Sequence, residues 1–131
     1  MTEQQPVFPN LGASPYLSLT TFRRSGEPVA TPVWFAREGD RLVLLTRAGA
    51  GKLKRIAHTP RVLVAPCDVR GRVTGETAEG RARLLPPEQA EAARKAILKK
   101  YGLLGWLFVT LERMRRSSQT VYFEIRPLKD E

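Results

Sequence analysis

Three cations, Lys52, Lys54 and Arg55, open a segment that follows a hydrophobic run ending in Thr46 and a loop containing Gly49 and Gly51. Cations at the start of a helix face the positive end of its macrodipole, so a partner of opposite charge must outweigh that field. A bound anion is the natural candidate, because the first N–H groups of a helix point outward unsatisfied. The glycines let the backbone approach a ligand closely. A threonine hydroxyl, backbone N–H groups and a lysine ammonium converging on one point describe a phosphate pocket. Other chemistry is poorly supplied. His58 is the single histidine and Cys67 the single cysteine, which excludes a disulfide within the chain and a Cys-rich zinc site. His58 is expected to end the helix, where its charge suits the dipole, and Cys67 to behave as a small buried hydrophobe. Neither GxGxxG nor GxxxxGK[ST] occurs.

The charge of the whole chain points the same way. Its 22 Lys and Arg against 13 Asp and Glu give a net charge of +9, which favours an acidic partner such as nucleic acid, a phosphorylated cofactor or an anionic membrane. Nucleic acid is the weakest of these, because Trp34 and Phe22 sit within apolar strands instead of between basic residues. The N-terminus has neither a basic n-region nor an apolar h-region, and the longest apolar run, residues 103–109, is far short of the roughly 20 residues a membrane span needs. A cytoplasmic protein without stable membrane insertion is expected, with no metal.

The elements that must position these residues are mostly strands. Residues 16–22 are rich in aromatic and β-branched types, and "RSGEP" turns them into 29–36 as a hairpin. "REGD" leads into 41–46, so three strands should form an antiparallel meander. Lys52 to His58 is helical and stops at Thr59-Pro60; residues 61–66 follow as a strand and 70–85 as a long, bent one. "PPEQAEAARKAILKKYG" carries proline at its start, Glu88 and Glu91 early, Lys99 and Lys100 in its last turn and Gly102 at its stop, all marks of a helix. A second, more apolar helical stretch covers 103–116. Leu103, Leu107, Leu111 and Met114 share one side of it, as a core or dimer face, or else as a lid or an interfacial helix with a basic end. Residues 120–127 close the chain as a strand. This is an α+β order over one domain, residues 1–131 with an N-terminal arm at 1–15, whose six or so strands can close as a small barrel.

The segments "YLSLTTFRRSGEPVATPVWFAREGDRLVLLT", "GKLKRIAHTPRVLVAPCDVRG" and "KYG" resemble the pyridoxamine 5′-phosphate oxidase-like superfamily of split β-barrel flavoproteins, and within it the oxidoreductases that use the deazaflavin coenzyme F420. The resemblance spans residues 14–127 and implies a split-barrel homodimer with the cofactor at the subunit interface. On it, Lys52 matches the lysine that holds the cofactor phosphate, Arg55 assists, and Thr46 is the hydroxyl residue ending the preceding strand. Thr31, Pro32, Val33 and Trp34 match the strand running alongside the ring through backbone contacts. Cys67, Asp68 and Arg70 lie in the turn that approaches the cofactor again, with Tyr101 a further candidate. Trp34 and Phe35 are neighbours on one strand and face opposite sides, so either can instead pack in the barrel. The implied activity is hydride transfer between reduced F420 and a conjugated acceptor, quinone-like or tetrapyrrole-like, with no catalytic side chain identified. The alternatives are an FMN-dependent oxidase or reductase and a non-catalytic F420 or flavin carrier. F420 carries a phosphodiester and an oligoglutamate tail, with which a basic groove beyond the phosphate pocket would be compatible.

Overall fold

Alternation of inward and outward residues organises the sheet. A computed structural model describes residue 11 and residues 14–47, 49–114 and 120–128. Its elements are β1 (Tyr16–Phe22), β2 (Pro28–Val33), β3 (Phe35–Glu38), β4 (Arg41–Arg47), α1 (Gly51–His58), β5 (Arg61–Cys67), β6 (Ala78–Leu84), α2 (Pro87–Met114) and β7 (Thr120–Pro127). In β4, Leu42 and Leu44 point into one cluster with Leu17, Leu19, Phe35, Phe123 and Ile125, while Val43 between them joins a second cluster with Ala93 and Ile97 of α2 and Tyr122 of β7. The period of two on a strand thus makes two cores from one sheet: the barrel interior, and the layer between barrel and helix. Each fully buried Leu, Ile or Phe stabilises the fold by about 1.5–3 kcal/mol relative to exposure.

The seven strands form one antiparallel sheet in the order β2-β1-β5-β6-β7-β4-β3. β2 and β3 therefore lie at opposite edges, although only Trp34 separates them in the chain. A single residue can join two edges only if the sheet curls until they meet, and the edges meet without a ladder between them: this is a split barrel of α+β class. The apolar run 29–36 is accordingly two strands and not one. Its first part pairs with β1 (Leu19 opposite Thr31) and its second with β4 (Phe35 opposite Leu44), so the expected three-strand meander is two hairpins. The strand expected over 70–85 is regular only at Ala78–Leu84; upstream a single bridge joins Cys67 and Val73.

α2 is bent as the sequence leads one to expect. Gly102, at φ 60° and ψ −135°, interrupts it in a conformation that side-chain-bearing residues resist, dividing it into an amphipathic first part and an apolar second part. Of the N-terminal arm, residues 1–10, 12 and 13 lie outside the described residues, whereas Leu11 is buried in the barrel core. The expected face at Leu111 and Met114 and the basic end at 115–116 also fall outside the described side chains.

Candidate functional site

Helix α1 docks through Ile56 and Leu53, which pack into the barrel core. At 100° per residue, Lys52 and Arg55 flank that apolar stripe while Lys54 falls on the solvent side, and the structure keeps the first two half-buried and Lys54 exposed. The expected trio is thus a pair. Arg55 Nε donates to the buried Thr21 Oγ1 of β1 at 2.6 Å, and its guanidinium lies across the first turn, where a Cβ on Gly51 would stand 3.0 Å from Nη1. Lys52 is held below the usual lysine value by burial and by the neighbouring Arg55 charge. Ala50 at the N-cap offers no side-chain acceptor, and no acidic residue occupies the first turn. Among the described residues no carboxylate pairs with Lys52 or Arg55. Two cations and an uncapped helix end therefore share one small region with no counter-charge, which is the electrostatic arrangement of an anion site. Thr46, half-buried next to the end of β4, precedes the loop into this helix.

From there the remaining candidates are strung along β1. Thr31, Pro32 and Val33 of β2 lie opposite Leu19, Ser18 and Leu17, and the outer side of β2 carries no strand among the described residues, leaving backbone donors and acceptors open. Trp34 follows, stacked on Tyr101 with ring centroids 4.2 Å apart and planes 9° from parallel. Phe35 next to it is fully buried. Cys67 pairs with Tyr16 at the start of β1, five residues from Thr21 and so about 17 Å away at the rise of a strand. The structure thus separates the "PCDVRG" turn from Lys52 and Arg55. It brings that turn to β2 instead, where a Cβ on Gly71 would lie 3.7 Å from Pro32.

Asp68 spends its carboxylate on its own loop. Oδ1 accepts the backbone N–H of Arg70 at 2.9 Å and of Arg72 at 2.8 Å, and these hydrogen bonds hold its pKa below the usual carboxylate value. Arg70 is exposed, and its backbone N–H is what the loop uses. Cys67 is buried, and burial together with the Asp68 charge pushes its thiol up, so it stays protonated. Both line a groove of about 630 Å³ with Pro15, Tyr16, Val69 and Thr74.

Three features were not expected from the chain. Thr21 as the anchor of Arg55 carries no local signal, since only the docking of α1 on β1 brings them together. Lys100, which the sequence places as a helix-end cation, turns inward: Nζ sits 3.3 Å from the Phe35 ring centroid and donates to the Ser14 carbonyl at 2.8 Å, and burial lowers its pKa to about 8. Tyr101 Oη accepts the Phe35 N–H at 3.0 Å and has the Phe35 and Pro15 carbonyls as acceptors at 2.9 and 2.8 Å. Its pKa rises to about 12, chiefly through burial, so it remains a donor. A side chain thereby satisfies backbone groups where the barrel seam has no ladder.

Solved structures share this architecture. A candidate 5-nitroimidazole antibiotic resistance protein from Bacteroides thetaiotaomicron is 12% identical over 98% of this chain and 82% of that one, with a TM-score of 0.69. The heme storage protein of Vibrio cholerae is 12% identical over 89% and 84%, with a TM-score of 0.66. An FAD-binding protein from Mesorhizobium loti is 20% identical over 92% and 84%, with a TM-score of 0.62. No curated protein matches the chain. At such identities the likeness is one of fold. The sequence itself matches the family model of pyridoxamine 5′-phosphate oxidase over residues 3–129.

Proposed function

Because the chain belongs to the pyridoxamine 5′-phosphate oxidase family, we propose that it binds a phosphorylated flavin-type cofactor along β1 and β2, and that this cofactor is the deazaflavin F420. The observation that carries the reading is the uncompensated Lys52–Arg55 pair at the uncapped start of α1. Lys52 and Arg55 would hold the phosphate with help from Thr46. The edge formed by Thr31, Pro32 and Val33 would run along the ring through its outward-facing backbone groups, with Trp34 at its far end and Cys67, Asp68 and Arg70 supplying the wall at Pro32. An elongated ligand suits candidates spread over about 17 Å of strand. Arg24 and Lys54, both exposed and without a carboxylate partner among the described residues, lie beyond the phosphate end and suit an oligoglutamate tail. FMN ends at its phosphate and has no use for them.

When bound, the deazaflavin supplies hydride transfer to a conjugated acceptor of quinone-like or tetrapyrrole-like type. The chain contributes orientation and exclusion of water, and Tyr101 keeps its proton while it clamps Phe35 beside the ring strand. A site laid along an edge strand is open on one side, and a second subunit would close it. We therefore take the working form to be a cytoplasmic homodimer with the cofactor at its interface. Parallel titration with F420 and with FMN, read by tryptophan quenching and cofactor fluorescence, tests this. Preference for F420 with turnover of a conjugated acceptor supports the reductase. Preference for FMN replaces the cofactor and keeps the pocket, and tight binding without turnover of any acceptor makes the protein a carrier.

A further inference from the structure

Beyond the Gly102 break, Leu103, Leu104, Trp106 and Leu107 stand in the open, Leu103 at 80% and Leu104 at 60% exposure. On a helical wheel the four occupy one arc of about 160°, so they make a continuous apolar face and are not scattered. Four large exposed hydrophobes side by side mark a contact surface. The charge leading up to them is one-sided: Lys95 and Lys99, both exposed, stand in the turns before the break, and residues 95–107 contain no carboxylate.

The same composition recurs nearby. Exposed Val69 and Val73 bracket Arg70 and Arg72 in the loop after β5. Pro15 connects the two regions, since its carbonyl accepts a hydrogen bond from Tyr101 next to Gly102 and its ring lines the groove that Val69 also lines. We propose that this end of the barrel docks on an anionic lipid surface, with the 103–107 helix lying in the headgroup layer and the flanking cations on the headgroups. A second copy of the chain is the poorer occupant. A two-fold interface would set this patch against itself, bringing the exposed Lys95, Lys99 and Arg70 of one subunit toward those of the other in chains that each carry +9. An anionic bilayer offers the opposite charge together with an apolar layer for the leucines and for Trp106. No helix among the described residues is long and apolar enough to cross a membrane, which fits a helix that lies on it.

The test uses the full chain as purified, without added cofactor, so that its outcome is independent of the cofactor reading. Co-sedimentation is measured with vesicles of phosphatidylcholine and of phosphatidylcholine mixed with phosphatidylglycerol, alongside Trp106 quenching by brominated acyl chains. Binding to the anionic vesicles only, with quenching, is expected. Leu103→Ser with Leu107→Ser should weaken it at least about tenfold, and added salt should weaken it further. The variant's unchanged circular dichroism and unchanged oligomeric state would show that the fold is intact. Absence of binding to either vesicle overturns the proposal. So does loss of oligomerisation in the double variant, which would assign the face to a second copy, and so does salt-sensitive binding without quenching, which would make the contact purely electrostatic.

Discussion

Two groups of cations on this barrel are built from the same residue types and arranged oppositely. On the outer face Glu124 of β7, buried with 2% exposure, is surrounded by Arg41 at 2.8 Å, Arg83 at 3.0 Å and Arg126 at 3.2 Å. Burial alone would raise the Glu124 pKa, and the hydrogen bonds from the three guanidinium groups outweigh it, so the carboxyl titrates below the usual value. At α1, Lys52 feels the Arg55 charge, and no carboxylate pairs with either among the described residues. The first group is complete within the chain and reads as structure. The second is incomplete within the chain, and that incompleteness is what points to a ligand.

The contrast is broken most severely at Glu124. Glu124→Gln takes the carboxylate from Arg83 and Arg126 and leaves the half-buried Arg41 with Glu38 alone, and the loss of charged hydrogen bonds at a buried group costs about 1.5–3 kcal/mol. Urea denaturation should show that loss, while F420 or FMN affinity of the folded fraction stays unchanged. The pH dependence follows from the sign of the shift. A carboxyl whose native pKa lies below its unfolded value of 4.5 stabilises the protein above that value, and the contribution disappears as pH falls through the native pKa. The wild type should therefore lose stability below about pH 4.5 more steeply than Glu124→Gln does.

Lys52→Ala should do the reverse. Loss of a charged hydrogen bond weakens cofactor binding by about 1–3 kcal/mol, whereas stability should hold within about 0.5 kcal/mol, because the deletion also relieves repulsion from Arg55. Binding should also fall as pH rises through the lowered Lys52 pKa, since only the ammonium attracts the phosphate. Isothermal titration across pH, with chemical denaturation in parallel, separates the two effects. Equal loss of stability and affinity would make Lys52 a structural residue and remove the contrast.

The difference between the two groups was only half legible in the sequence. Lys52 and Arg55 stand out locally, because cations after a glycine loop violate the helix dipole within a few residues of one another. Glu124 carries no such signal: its arginines come from β4, β6 and β7, and only strand pairing assembles them. The same limit explains the fold. Strands β1, β4, β5 and β7 were visible to within a residue from apolar content and turn residues, but the exchange of partners at Trp34 was not, since alternation reports which residues face a core and is silent on which strand lies alongside. Lys100 reads as a helix-end cation, because nothing in the sequence signals that Phe35 lies beneath it.

Gly51 gives the finest test of the comparison, because there stability and binding should move in opposite directions. Its backbone lies outside the left-handed region, so alanine is conformationally allowed and should stabilise the free helix by up to about 0.5–1 kcal/mol. The new Cβ would stand 3.0 Å from Arg55 Nη1. The guanidinium is the end of a flexible side chain and can swing aside, but it then leaves the first turn and the anion it would hold there. Gly51→Ala should raise the melting temperature slightly and lower cofactor affinity by less than about tenfold, roughly the worth of one charged hydrogen bond. If affinity is unchanged while stability rises, Arg55 serves Thr21 alone and the anion rests on Lys52 and the helix N–H groups. If both fall, Arg55 is structural like Arg41, and the two groups differ less than their charges suggest.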